Sequence, residues 1–132
     1  MENIQSKMQE LFGNSCYAYC LEYLFGEQRT LKGLTNAVLQ DWIAGFICDD
    51  GYVSKPLSIV DQYVGKQYKD VKKPLIDKLE DLPSDDLWIV EYRWGTKQHF
   101  VVANKNGVVF DPAGNSNTVK NGKPFTYRLF VR

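Results

Sequence analysis

The sequence is short of several things, and each shortage excludes a class of function. It has no excess charge, since sixteen Lys and Arg balance sixteen Asp and Glu. Nucleic-acid readers normally carry a clear positive excess, so no nucleic-acid partner is expected. No apolar run approaches the ~20 residues of a membrane-spanning helix, and no membrane association is expected. The first residues, Met1-Glu2-Asn3-Ile4-Gln5, lack the basic flank and apolar stretch of a secretory signal, which points to the cytoplasm. Three cysteines, Cys16, Cys20 and Cys48, are too few and odd in number for a disulfide framework, so free thiols are expected. Histidine occurs once, as His99. Repeats, low-complexity tracts and linkers are missing too.

What remains is an ordinary globular composition. A length of 132 residues fits one domain, spanning 1–132. A hydrophobic fraction of 44% is enough to fill a core and excludes disorder. The N-terminal half reads as helical, with helices over 4–12, 15–26, 34–47 and 57–63. Cys16, Tyr19, Cys20, Tyr23 and Leu24 form an apolar stripe on the second helix, and Leu34, Val38, Trp42 and Phe46 one on the third. Pro56 suits the first turn of the fourth. After residue 87 the pattern changes to β-branched and aromatic runs bounded by turns, at 87–92, 99–103, 107–110 and 125–131. Helices followed by antiparallel strands give an α+β domain.

The Asn104-Lys105-Asn106-Gly107 turn makes a hairpin of the second and third runs. A loop of Asn104, Lys105 and Asn106 sets Asp111 directly across from His99, and a slip of one or two residues keeps them neighbours. A carboxylate beside an imidazole fixes the tautomer and stabilises the imidazolium of a general base. Pro112 ends that strand. Cys16 falls in the first turn of its helix, where unpaired N–H groups and the helix dipole favour a thiolate and can also cradle an oxyanion. Nucleophile, base and orienting acid together meet the requirement for acyl transfer through cysteine.

Gly13-Asn14-Ser15-Cys16-Tyr17 resembles the Gly-Ser-Cys-aromatic nucleophile segment of papain-like cysteine peptidases. His99-Phe100-Val101-Val102 with Val108-Val109-Phe110-Asp111-Pro112 resembles the histidine hairpin of their double-glycine, bacteriocin-processing branch. About fifteen residues carry this resemblance. It implies a papain-like fold with an N-terminal helical lobe packed on a C-terminal antiparallel sheet. It also implies a Cys16–His99–Asp111 triad acting through a thioester, without metal or organic cofactor. The implied substrate is a peptide or isopeptide bond, with cell-wall peptide cross-links next, and the expected relatives are small bacterial and prophage proteins. The family places an oxyanion-hole glutamine six residues before the nucleophile. Here that position holds Glu10, with Gln9 one residue away, so Gln9 or Asn14 is the expected oxyanion donor beside the Cys16 N–H. Asn115 rivals Asp111 as third member, although Asp111 alone fits the Asp-Pro pattern.

Blander readings stand beside these. Cys20 reads as core and as the fallback nucleophile, and Cys48 has no assigned role. A zinc site from Cys16, Cys20, Cys48 and His99 matches no compact zinc-binding spacing. The lysines between Lys66 and Lys78 read as a solvated face, and Trp94 as groove or core. A helix-turn-helix over 34–64 fails on the charge balance. The competing class is a non-catalytic interaction module with a vestigial triad, favoured by Glu10 standing where the glutamine belongs.

Overall fold

The computed structural model describes residues 15–26 and 28–132. Helices come first and antiparallel sheets after, an α+β arrangement. The chain divides into two compact units, Met1–Gln67 and Tyr68–Arg132. The helix expected over 4–12 lies outside the described residues.

The first unit holds α1 (Cys16–Phe25), α2 (Leu31–Ile43) and α3 (Pro56–Val64). The sequence places α1 within a residue at each end. In α2 the Thr30 side chain accepts from the Gly33 N–H, so the helix starts three residues before Leu34. It ends at Ile43 with Ala44 as its C-cap, before Gly45 with φ of 83°, which leaves Phe46 and Ile47 outside the helix. Ile47 instead bridges to Val53 and closes the turn between them. Pro56 opens α3, where its missing N–H costs nothing. Ala18, Tyr19, Cys20 and Leu21 of α1, Leu34 and Val38 of α2, and Ile59 and Val60 of α3 are completely buried. The Tyr19 hydroxyl donates to Thr35 Oγ1 at 3.1 Å, giving this buried phenol a partner on α2.

The second unit holds β1 (Asp70–Lys72), β2 (Trp88–Trp94), β3 (Lys97–Asn104), β4 (Gly107–Phe110), α4 (Asn117–Asn121), β5 (Lys123–Tyr127) and β6 (Leu129–Val131). Four strands form one antiparallel sheet in the order β4-β3-β2-β5, and β1 pairs with β6 in a second. The run over 125–131 is therefore two strands rather than one. The break falls at Arg128, whose N–H bonds the Ile89 carbonyl while its side chain turns inward onto Thr126 and Glu91. Along β2 and β3, Val90, Tyr92, Val101 and Ala103 form one core face with Ile76 and Leu82, and Val119 of α4 packs against it. The opposite face buries Ile89, Glu91, Phe100 and Val102. No helix among the described residues is long and apolar enough to cross a membrane.

Candidate active site

His99 lies near the start of β3, opposite Tyr92 of β2 and on the same face as Val101 and Ala103. Burial, aided by the negative charge of Glu80, raises the Tyr92 phenol above its usual range, so the neighbour of the imidazole stays neutral. His99 Nε2 stands 2.6 Å from Asp111 Oδ1, with the two side chains only 12% and 8% exposed. A carboxylate that only accepts requires Nε2 to donate in this bond.

The pairing depends on a β-bulge. Asn104 faces Gly107 across a two-residue loop, shorter than the three expected, and Ala103 faces Val108. Continued without interruption, that register sets Asp111 opposite Phe100, on the face away from His99. Between Ala103 and Val102, however, β4 contributes an extra residue, Val109, and Val102 faces Phe110. The shifted register aligns Asp111 with Val101, on His99's face and diagonal to it. The expectation of direct opposition is corrected to this diagonal, a spacing that an aspartate and an imidazole span.

The carboxylate is held from behind by its own loop. Asp111 Oδ1 also accepts from the Ala113 N–H at 2.9 Å, and Oδ2 accepts from the Ser116 N–H at 3.2 Å. Asn115, the rival third member, is exposed on this loop, and His99 pairs with Asp111 instead.

Cys16 belongs to the helical unit, as the first residue of α1, and is half-buried. Ser15 precedes it as N-cap yet forms no side-chain cap bond, and among the described residues its buried Oγ has no partner. The Ser15 hydroxyl therefore leaves the first-turn N–H groups of α1 uncapped. Cys20 is fully buried in α1 and Cys48 is exposed. Gln9 and Asn14 lie outside the described residues. Among the described residues no group of three or more His, Cys, Asp and Glu side chains is gathered to hold a metal ion.

Sequence reasoning missed a polar cluster in the helical unit. Glu22 of α1 and Asp41 of α2 are each 1% exposed and stand close enough for a carboxyl proton on one to bond the other. The Tyr63 hydroxyl donates to Glu22 Oε1, and Gln62 Nε2 donates to Asp41 Oδ1 at 3.0 Å, both from α3. Burial first, then the hydrogen bond and charge of Glu22, push the Asp41 carboxyl up to about 9, against the smaller lowering effect of Gln62. With both acids ionised, Glu22 Oε2 and Asp41 Oδ2 have no donor; a proton retained on Asp41 supplies one. Burial and the same glutamate raise the Tyr63 phenol. The available signal was a carboxylate inside each apolar stripe, three residues after Tyr19 and after Val38.

Compared with protein-family models, with curated proteins and with solved structures, the chain matches none.

Proposed function

We propose that this chain is a cysteine-dependent hydrolase of papain-like type that cleaves a peptide or isopeptide bond through a thioester. The observation that carries the reading is the short, backbone-braced hydrogen bond between His99 Nε2 and Asp111. Such a pair has the composition of an oriented general base. Cys16, first in its helix, is the nucleophile. The Cys16 thiol gives its proton to His99 Nδ1, and the sulfur attacks the carbonyl carbon. The imidazolium then returns that proton to the leaving amine as the carbon–nitrogen bond breaks. Water, deprotonated by the same nitrogen, hydrolyses the thioester and regenerates the thiol. Asp111 keeps the imidazole in one tautomer and stabilises its cationic form. The Cys16 N–H, with Gln9 or Asn14, holds the oxyanion.

The decisive experiment is alkylation with iodoacetamide across pH, comparing the native chain with His99→Ala, with mass spectrometry assigning the label among three thiols. The expected result is fast labelling of Cys16 well below pH ~8.5, the range of an ordinary thiol, slowed by loss of His99. Slow labelling of every cysteine, unchanged in His99→Ala, overturns the reading. It would favour the interaction module that Glu10 suggests.

A further inference from the structure

We infer that the loop 111–116, through the left-handed backbone at Gly114, positions Asp111 on His99 and so decides which ring nitrogen carries the hydrogen. Three backbone N–H groups of this loop converge on Asp111. Ala113 and Ser116 donate to its two carboxylate oxygens, and Gly114 donates to its carbonyl at 2.9 Å. The loop is anchored at both ends. Phe110 is paired on β3, and the Ser116 hydroxyl accepts from the Val119 N–H to open α4, whose Val119 packs against the core cluster of Tyr92 and Val101.

Between the two donors to the side chain sits Gly114, with φ of 81°. That value lies in the region open to glycine, tolerated by asparagine and disfavoured for β-branched residues. A Cβ built on Gly114 meets nothing within 4 Å. A side chain here therefore acts through backbone strain alone, and relief of that strain moves the Ala113 and Ser116 donors off the carboxylate. Gly114, Ala113 and Ser116 are positioning residues. Their effect on Cys16 rests on the proposed hydrolase reading, whereas the state of the imidazole is readable without it.

The single histidine makes the test direct, because 15N-labelled protein shows the ring nitrogens of one imidazole only. Three variants are compared: Gly114→Val, Gly114→Asn and Gly45→Val. Gly45 has φ of 83° and equally open space, so its valine carries matching strain in the other unit. The native neutral imidazole is expected to show its hydrogen on Nε2. Gly114→Val is expected to show a mixture of tautomers, with Cys16 alkylated about tenfold more slowly. Gly114→Asn should keep the native signals, and Gly45→Val should lower the melting temperature without moving them. Native ring signals in folded Gly114→Val overturn the inference, as does equal disturbance in Gly114→Asn or Gly45→Val. If Gly114→Val does not fold, Gly114→Ala is read against the same criteria. Tautomer mixing without any His99 dependence of Cys16 labelling leaves the loop's role standing and overturns the hydrolase. His99-dependent labelling with a ring indifferent to Gly114 does the reverse.

Discussion

The two units bury their acids in opposite ways. In the sheet unit, acids meet donors. Asp111 receives His99 and two backbone N–H groups, and Glu91 receives the Thr126 hydroxyl at 2.8 Å, Arg93 at 2.9 Å and Arg128 at 3.6 Å. In the helical unit, Glu22 and Asp41 meet each other, and among the described residues Tyr63 and Gln62 donate to them from α3. An acid among donors is fixed in direction and can orient a partner. An acid facing an acid retains a proton, because two buried negative charges side by side are too costly. Neither behaviour belongs to the residue type; the neighbours decide it.

The sharpest way to break this contrast is to move an acid away from its donors. Asp111→Ala takes the carboxylate away from His99 and from its two backbone donors, which should slow His99-dependent labelling of Cys16 by ~100-fold or more. Circular dichroism should show the sheet retained, and unchanged labelling would mean that the diagonal pairing is not what activates the thiol. Next in size, Glu91→Ala takes the carboxylate from beside the guanidinium of Arg128, itself only 7% exposed. A loss of about 3–5 kcal/mol is expected from urea unfolding. A loss below ~1 kcal/mol would place this pair among weak surface ion pairs.

The helical acids predict a pH effect of defined sign. The Asp41 carboxyl, ordinarily 3.8, is raised to about 9 in the folded chain. Its contribution is therefore fully present below pH ~4 and declines as pH rises towards 9, because the unfolded chain releases the proton first. The slope is at most about 1.4 kcal/mol per pH unit. Asp41→Asn keeps a neutral group facing Glu22 and should flatten the decline between pH 5 and 9 in urea midpoints. An undiminished slope would assign the retained proton elsewhere. The smallest effect is expected at Thr30→Ala, which removes the cap of α2 and should cost about 1 kcal/mol with Cys16 labelling unchanged.

Element types were legible where local signals agreed. Pro56 and Gly65 bracket α3 with one residue of error at each end, and β4 falls on 107–110 as expected. Failures came where a tertiary partner overrode the pattern. Asp70-Val71-Lys72 reads as solvated surface until Leu129–Val131 pairs with it. Arg128 reads as a strand residue until Glu91 draws it inward. The short α4 was missed because Asn117-Thr118-Val119-Lys120-Asn121 has weak helix propensity, and its Ser116 cap joins it to the Asp111 loop. The candidate site was legible as a pair, His99 with Asp111, because a hairpin brings residues twelve apart together. The expectation that a slip of one or two residues is harmless does not hold, because a slip of a single residue turns Asp111 to the other face.

By itself, then, the sequence determined the order of helices and strands, the hairpin between His99 and Asp111, and a cysteine at a helix start. These follow from periodicity, turn chemistry and capping, all local properties of a few adjacent residues. Tertiary structure decided which face Asp111 occupies, that Asp111 and not Asn115 meets the imidazole, and that Glu22 and Asp41 lie close enough to hold a proton between them. Those outcomes depend on a single extra residue in a ladder and on which donors surround a buried charge. The first is set within one hairpin and the second by helices distant along the chain, and in each a shift of one position or one missing donor reverses the chemistry.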